Sequence, residues 1–459
     1  MADDGPASAE TSAGAGAEPS GMPSKPRKPG GPKKKRRPGT KASRVLEPQR
    51  SWTRREYLEE VLTVLWPPPA RIIDNAARTG DSTGYALLPW PSRPTLMVPT
   101  RPRRATASAV RNYKASATAG MQARLVAVSV AAARLGLAEL LSGRIGIDSS
   151  ESGPRGTIQS YLSDVLGQPV VVGLHIGAPG RANLKPVLQL LTADGRTFGF
   201  AKVGMRPLTQ ELVIDEGRAL ARLNAKQLTH LQVPELLHRG RWQGHEVLVQ
   251  AALTRSGPAA VDPYVLRAAM RELAAVKGIR TSTAVDSPFW TRLGRRLEAL
   301  PPSSSADALT AQWELLTARA RGTELTFGSW HGDWTPWNMS MSTGKALVWD
   351  WERFGSPVPI GFDALHYRLH RSIAQGGADA AAAARALITG AGATLSWFGV
   401  PAEVAPLVAA AYLVEIGSRY LADGQAEAGA ALGDLEQWLL PALRAHAGQS
   451  TRPSGDAPA

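Results

Sequence analysis

Two carboxylates and an amide occur at a spacing suited to phosphoryl transfer. Asp333 and Asn338 lie five positions apart in the segment HGDWTPWN, and Asp350 follows 17 positions after Asp333. Pro336 keeps this segment from forming a regular helix, because proline lacks an amide hydrogen. Phosphoryl transfer requires a carboxylate that orients the attacking hydroxyl, and oxygen ligands that hold magnesium on the phosphates. The pattern therefore predicts Asp333 as the catalytic residue, with Asn338 and Asp350 as metal ligands.

The residues between Asn338 and Asp350 read as a short hairpin. Thr343-Gly344-Lys345 is a turn signal, and it is followed by the apolar run ALVW at 346–349. The order is therefore loop, strand, turn, strand. A hairpin of this size brings Asp350 back beside Asn338.

The same segment resembles the catalytic core of the aminoglycoside phosphotransferase and choline kinase superfamily. The matching stretches are HGDWTPWN at 331–338, VWDWE at 348–352, GSP at 355–357 and GFDAL at 361–365. The resemblance implies an α+β, bilobal protein-kinase-like fold, with an antiparallel-sheet N-lobe and a mainly helical C-lobe. It also implies ATP and Mg²⁺ as cofactors, and a later aspartate, Asp363, that ties down the catalytic loop. The alanine-, arginine- and glycine-rich composition is typical of a bacterial member.

Upstream, a meander of apolar strands contains a loop of small residues. Strand patterns at 170–174, 187–191 and 197–203 are separated by the loop Gly177–Asn183 and by an Asp-Gly turn. A kinase N-lobe covers the nucleotide phosphates with a loop in this position. Gly177, Gly180 and Asn183 are thus candidate cofactor-binding residues, although a plain hairpin turn explains the loop equally well.

Lys202 ends an apolar strand, where a lysine either extends its amine to the surface or reaches a specific anion. Thr209 is suited to cap the helix that follows. The resemblance to a kinase N-lobe implies that a glutamate of this helix pairs with Lys202 and holds its ammonium toward the nucleotide phosphates. Glu216 is favoured over the competing Glu211, because Glu216 directly precedes the apolar face of the helix.

A further strand pattern at 246–251 occupies the place of the hinge strand. The resemblance implies that its backbone, at Val249 and Ala251, bonds the adenine edge. Asp262 and Pro263 open the next helix as cap and first residue. From there to about His446 the pattern predicts helices apart from the central hairpin, at 288–299, 306–320, 377–396, 403–422 and 425–446.

Composition divides the 459 residues into unequal parts. Residues 1–50 have few large apolar side chains, which predicts a disordered basic tail. From Trp52 onward apolar residues recur, with a short amphipathic helix, strand patterns at 85–88 and 95–98, and a helical stretch at about 105–141. The predicted parts are the tail 1–50, an N-terminal extension 51–155, a kinase-like N-lobe 156–253, a helical C-lobe 254–446 and a disordered tail 447–459.

The chain has no cysteine, so it contains neither a disulfide nor a thiolate metal site. No apolar run approaches the roughly 20 residues that span a bilayer, and residues 1–30 lack a signal-peptide core. These features favour a cytoplasmic protein without a transmembrane segment. The basic cluster PKKKRR at 32–37 could make weak contacts with polyanions, but a solvated tail is the favoured interpretation.

The net charge of +14 is unevenly distributed and bears on the acceptor. Residues 254–446 hold 17 Lys/Arg and 18 Asp/Glu, a net charge of −1, so the basic excess lies before residue 254. A polycationic aminoglycoside should meet an acidic groove, so this charge disfavours it. Tryptophans crowd the segment 330–351 and suit a sugar ring or a quaternary ammonium, although a core role is favoured.

A pair of histidines is the remaining candidate metal site. His366 and His370 lie four positions apart, but without an acidic third ligand in register a helix-face role is favoured over a metal pair.

The sequence supports two functional hypotheses. The first hypothesis is an ATP-dependent kinase that phosphorylates a hydroxyl of a small molecule such as a sugar or an antibiotic. The alternative is a catalytically idle kinase-like domain that binds nucleotide or a partner. Retention of all three catalytic positions favours the kinase.

Overall fold

The computed structural model describes residues 53–74, 83–113, 143–153, 155–254 and 260–449. The predicted disordered tail 1–50 and most of the predicted helix 105–141 lie outside the described residues. The part of that helix that is described begins earlier than predicted, at Arg103.

The described residues form strands throughout the N-terminal half and in short pieces beyond it. In chain order they are β1 Arg71–Asp74, β2 Thr83–Leu88, β3 Leu96–Pro99, β4 Gly143–Asp148, β5 Val171–His175, β6 Val187–Leu191, β7 Thr197–Gly204, β8 Leu231–Gln232, β9 Leu236–Trp242, β10 His245–Ala251, β11 Arg280–Thr283, β12 Glu324–Trp330, β13 Met339–Ser342, β14 Lys345–Val348 and β15 Gly355–Pro359.

Nine of these strands form one antiparallel sheet in the order β1-β4-β2-β3-β5-β6-β7-β10-β9. The predicted meander is its centre, where β5, β6 and β7 pair in sequence. Strands of the predicted extension belong to this sheet, because β3 pairs with β5, Leu96 lying opposite His175. The division at residue 155 therefore separates two parts of one continuous sheet.

The helices of the described residues are α1 Arg54–Leu65, α2 Arg103–Tyr113, α3 Ile158–Val165, α4 Pro207–Asn224, α5 Pro263–Ala275, α6 Pro288–Glu298, α7 Ser304–Ala320, α8 Phe362–Ala374, α9 Ala380–Thr389, α10 Ala391–Leu395, α11 Ala405–Asp423 and α12 Leu439–Gln449.

Helix α1 shows how the N-terminal core forms. Thr53 is its N-cap: the Thr53 hydroxyl accepts the Glu56 N–H, and the Glu56 carboxylate accepts the Thr53 N–H. This reciprocal pair is a capping box. Tyr57, Leu58 and Val61 recur at helical spacing on one face and are buried. That face packs in the same core as inward-pointing residues of the nine-stranded sheet.

Helix α4 begins three residues earlier than the sequence predicts. Pro207 is its first residue and Arg206 its N-cap, so the prediction that Thr209 caps the helix is wrong. Thr209 lies one turn inside and its hydroxyl accepts the Arg206 N–H at 2.9 Å. By contrast, Asp262 caps α5 as predicted, accepting the amide hydrogens of Tyr264 and Val265.

The C-terminal half is mainly helical but not wholly so. Strands β11, β12 and β15 form a three-stranded sheet, and β13 and β14 form the predicted hairpin, which β8 joins in parallel. The expectation of helix alone around the hairpin is therefore wrong. Strand β15, with the sequence GSPVP, has two prolines that obscure its strand pattern.

Two predicted helices are also interrupted. The helix at 377–396 breaks at Gly390 into α9 and α10. The helix at 425–446 is replaced by turns, a 3₁₀ turn at Leu435–Gln437 and α12. Within this segment Gly429 has φ 81°, in the left-handed region, which a right-handed helix does not contain. Helix α12 runs to Gln449, three residues into the predicted tail.

The predicted α+β architecture, an antiparallel sheet followed by a mainly helical part, is confirmed. A separate apolar core formed by α6 to α12 supports the helical part. A third core joins α4, α5 and the hairpin around Trp334 and Trp351. Within the described ranges, no helix is both long enough and apolar enough to cross a membrane.

Candidate active site

The predicted catalytic loop, residues 331–338, follows β12, and hydrogen bonds to Asp363 hold its first residues in place. The Asp363 carboxylate accepts the backbone N–H of His331 at 2.8 Å and that of Gly332 at 3.1 Å. Gly332 has φ 83°, and a Cβ there would lie 2.3 Å from the Arg353 carbonyl oxygen, so only glycine fits. The expected role of Asp363 in tying down the loop is confirmed. Burial raises its pKa to about 7, although the two N–H bonds oppose the shift.

His331 is a structural member of the loop. Its ring contacts Trp351, with ring centroids 4.5 Å apart. Its Nδ1 accepts the Asp333 N–H at 3.1 Å, and Nε2 lies 3.1 Å from the Trp349 carbonyl oxygen. Because Nδ1 is an acceptor, Nε2 carries the proton. Burial lowers the pKa of His331 to about 4, so the ring stays neutral at pH 7.

Asp333 and Asn338 lie together, as their spacing predicts. Asn338 Nδ2 donates to Asp333 Oδ2 at 2.9 Å and to the Asp333 carbonyl at 3.0 Å. The other carboxylate oxygen, Oδ1, lies 3.1 Å from His366 Nε2. The Asp333 side chain keeps 29% exposure, so a ligand can reach it.

The predicted hairpin brings the Asp350 end of the chain back to the loop. The Trp349 N–H donates to the Asn338 carbonyl at 3.1 Å, which places the two predicted metal residues on neighbouring segments. Asp350 adopts the left-handed region, with φ 74°. A non-glycine residue in this region is uncommon and marks a constrained position.

Lys202 links the sheet to this hairpin. Its ammonium donates to both carboxylate oxygens of Glu216, at 2.6 and 2.7 Å, and to Asp350 Oδ1 at 2.6 Å. The choice of Glu216 over Glu211 thus agrees with the geometry. Burial alone would lower the pKa of Lys202, but Asp350 and Glu216 raise it above its ordinary value. Burial likewise opposes ionisation of Asp350, yet Lys202 and Lys185 hold its pKa below the usual range.

A second buried ion pair lies beside the first. Lys185 donates to Glu352, and the two side chains are 7% and 1% exposed. Asn183 Nδ2 donates to the other Glu352 oxygen at 3.0 Å. Glu352 is therefore a salt-bridge residue, and the loop before β6 is attached to the segment that carries Asp350.

The two glycines of this loop serve close packing in this structure. A Cβ at Gly177 would lie 2.5 Å from Leu184 Cδ1 of the same loop. Gly180 has φ 81°, and a Cβ there would lie 3.0 Å from the Gly429 carbonyl oxygen. The loop therefore lies against the turn that follows α11.

The predicted hinge residues Val249 and Ala251 lie in β10. Val249 lies in β10 between β7 and β9, so its backbone belongs to the sheet ladder on both sides. The Ala251 N–H donates to the Glu235 carbonyl at 2.8 Å. Val249 and the N–H of Ala251 are thus engaged within the protein, as is the Ala252 N–H, which donates to the Phe198 carbonyl at 2.9 Å. The adenine contacts of Val249 and Ala251 stay a prediction.

The donor set suits a hard divalent cation. Because Asn338 uses its Nδ2 toward Asp333, its Oδ1 is the neutral oxygen with which it could hold a metal. Asp350 adds a carboxylate that is 28% exposed. Amide and carboxylate oxygens are the ligands that magnesium prefers. Oxygens of Glu216, Asp350 and Glu352 also lie within 4.8 Å of one another, but Lys202 and Lys185 pair with all three of these carboxylates.

The tryptophans divide between core and surface. Trp330, Trp334 and Trp351 are buried, as the favoured core interpretation predicts. Trp337 is 41% exposed, and its ring meets His370 edge-on at 5.7 Å. Trp337 is thus the aromatic face that an incoming molecule can reach beside Asp333.

Several solved structures are similar to this chain. A thermostable mutant of aminoglycoside phosphotransferase APH(4)-Ia, in a complex with ADP and hygromycin B, is 12% identical and has a TM-score of 0.42, with 64% of this chain and 99% of that one covered. Amicoumacin kinase hAmiN, in complex with AMP-PNP, Ca²⁺ and Ami, is 11% identical, with 61% and 88% covered and a TM-score of 0.37. A putative fructosamine-3-kinase from Haemophilus somnus 129PT is 13% identical, with 62% and 96% covered and a TM-score of 0.39.

By their names, these proteins are a phosphotransferase and two kinases. No protein-family model and no curated protein matches the chain. Identities of 11 to 13% and TM-scores of 0.37 to 0.42 are too low to carry an activity or a substrate across to this protein.

Three contributors to the site were not anticipated in the roles that the structure shows. Lys185 lies in an unremarkable stretch of sequence and acquires its partner only through folding. His366 was assigned to a helix face, yet it contacts Asp333. Tyr412, 79 positions from Asp333, bonds the other nitrogen of His366. The available signal was the i, i+4 histidine pair on α8, the helix that also carries Asp363 in its first turn.

Proposed function

We propose that the protein is an ATP-dependent small-molecule kinase that transfers the γ-phosphoryl group to a hydroxyl. The observation that supports this most strongly is the convergence of Lys202, Glu216 and Asp350 next to the loop that carries Asp333 and Asn338. Lys202 supplies a charged ammonium for the nucleotide phosphates, and Glu216 orients it. The phosphate-covering loop is the segment from Gly177 to Asn183.

In the proposed reaction the acceptor oxygen attacks the γ-phosphorus while the bond from that phosphorus to the ADP oxygen breaks. The proton of the acceptor hydroxyl passes to the Asp333 carboxylate, and ADP leaves with the bonding electron pair. Asp333 therefore orients the hydroxyl and receives its proton. When bound through Asn338 and Asp350, Mg²⁺ supplies positive charge that neutralises the phosphate oxygens.

Nucleotide binding in this proposal rearranges one contact. Lys202 donates at once to Glu216 and to Asp350. If the Lys202 ammonium binds the phosphates and Asp350 binds the metal, the contact between these two residues must break, whereas the contact between Lys202 and Glu216 can persist. We therefore assign Glu216 as the permanent partner of Lys202, and Asp350 as the partner that nucleotide and metal displace.

For the acceptor, we propose a neutral or weakly charged polyhydroxylated molecule. The C-terminal half carries a net charge of −1 and so offers little general attraction to a polycation. The exposed face of Trp337 beside the catalytic loop suits the apolar face of a sugar ring. Acceptor contacts would come from this face and from the helices α8 to α12.

A two-step experiment tests the proposal. First, titration with an ATP analogue, with and without magnesium, should show magnesium-dependent binding. Second, a library of sugars, nucleosides, macrolides and aminoglycosides should include an acceptor that stimulates ADP release. Selective turnover of aminoglycosides would refute the charge argument. If no acceptor in the library stimulates ADP release although the protein binds the nucleotide, an idle kinase-like domain would be favoured.

A further inference from the structure

A buried chain of three side chains joins α11 to the catalytic loop. Tyr412, on α11, places its hydroxyl 2.9 Å from His366 Nδ1, and His366 Nε2 lies 3.1 Å from Asp333 Oδ1. His366 and Tyr412 are both fully buried. The histidine thus bridges the helical core and the one carboxylate that the proposed reaction requires.

The contacts determine which nitrogen of His366 carries the proton. Burial lowers the pKa of His366 well below its ordinary value, so the ring is neutral. A bare Nε2 would direct its lone pair at a lone pair of the Asp333 carboxylate oxygen 3.1 Å away, which is repulsive. Nε2 must therefore be the donor, and Nδ1 must accept the Tyr412 hydroxyl proton.

This arrangement occupies one lone pair on each oxygen of the Asp333 carboxylate. His366 donates to Oδ1, and Asn338 Nδ2 donates to Oδ2 at 2.9 Å. Two donors from different segments fix the plane of the carboxylate. The remaining lone pairs are then directed toward the exposed side of the group, where an acceptor hydroxyl would bind.

We propose that His366 is a positioning residue for Asp333 and that Tyr412 selects the productive tautomer of His366. This inference rests on the proposed kinase function. His366 touches neither the nucleotide residue Lys202 nor the predicted metal ligand Asp350 in any contact that the structure gives it. Its loss should therefore affect the transfer step and spare nucleotide binding.

The test compares two substitutions at the same site. His366→Gln keeps an N–H donor near the position of Nε2, whereas His366→Leu removes it. With the acceptor found in the library, His366→Leu should lower kcat by about 10- to 100-fold, the loss expected for one hydrogen bond to a charged group. KM for ATP should not change. His366→Gln should restore most of kcat, and Tyr412→Phe should lower it by about 3- to 10-fold.

The chain offers a matched control in a second tyrosine–histidine pair. The Tyr161 hydroxyl lies 2.8 Å from His238 Nε2, between α3 and β9. Tyr161→Phe and His238→Gln remove or alter the same kind of bond without touching the catalytic loop. Both variants should keep the wild-type kcat. Full kcat in His366→Leu, with Asp333→Asn inactive, would overturn the inference and leave the proposed function standing.

A spectroscopic readout separates this inference from activity. Long-range ¹⁵N–¹H NMR of the wild-type protein should show His366 as a single neutral tautomer with its proton on Nε2. Tyr412→Phe should introduce the other tautomer, while the Tyr161→Phe control should not. A proton on Nδ1 of wild-type His366 would overturn the inference. Absence of ADP release with every acceptor, in a protein whose His366 has the Nε2 proton, would instead count against the proposed function.

Discussion

Substitution of Lys202 by methionine should destabilise the whole protein, in addition to weakening ATP use. The Lys202 side chain is 6% exposed and Glu216 is 0% exposed, so the pair is out of contact with water. Methionine fills a similar volume but leaves the Glu216 carboxylate with only the Trp351 N–H, at 3.2 Å, as its remaining partner. Removing one member of a buried ion pair costs about 3–5 kcal/mol. We therefore expect the free energy of unfolding to fall by about that amount.

The assay is equilibrium urea unfolding of wild type, Lys202→Met and an exposed control, Lys226→Met. The control should stay within about 0.5 kcal/mol of wild type, as surface substitutions usually do. The double variant Lys202→Met/Glu216→Gln should recover part of the loss, because the buried negative charge is gone. A loss below about 1 kcal/mol in Lys202→Met, or no recovery in the double variant, would refute the reasoning from a buried charge pair.

Three other substitutions test separate parts of the site. Asp350→Ala should abolish the effect of magnesium on nucleotide affinity, measured by titration with and without the metal; equal affinities in wild type would contradict the ligand roles of Asp350 and Asn338. Glu352→Ala should lower the free energy of unfolding by about 3–5 kcal/mol, since it leaves the Lys185 ammonium buried; an unchanged melting curve would argue against the pair. Burial lowers the pKa of His370 from 6.5 to about 3, so its contribution to stability is present above pH 6.5 and is lost as the pH falls. As the pH falls from 6.5 to 5, the free energy of unfolding of wild type should therefore fall by about 2 kcal/mol more than that of His370→Gln. Parallel curves of stability against pH for the two proteins would contradict the pKa shift.

The catalytic loop and the hairpin could be predicted because their information is local. Pro336 and the Thr343-Gly344-Lys345 turn set the backbone, and the spacing from Asn338 to Asp350 matches one hairpin. The preference for Glu216 also followed from local periodicity, since the residue had to face the same side as the apolar stripe of α4. Such patterns depend on backbone geometry that neighbouring residues determine.

The remaining features depend on contacts between distant segments. Strands β1 and β4 are four and six residues long and acquire their identity by pairing with each other. Nothing near Lys185 indicates that Glu352 will neutralise it, and the Tyr412–His366–Asp333 chain joins three elements that only the folded core brings together. The pattern of an apolar strand does not say on how many sides it is paired, so the pairing of β10 with both β7 and β9 could not be predicted.

The most direct test of the account is the rate of ADP release by wild type and by Asp333→Asn, at saturating ATP and magnesium, with the acceptor found in the library. Asparagine keeps the size of the side chain but cannot receive the proton of the hydroxyl, so kcat should fall by about 10²- to 10⁴-fold. Nucleotide affinity should stay close to that of wild type, because Lys202 and Asp350 are unchanged. Turnover by Asp333→Asn at the wild-type rate would contradict the assignment of this loop as the catalytic centre.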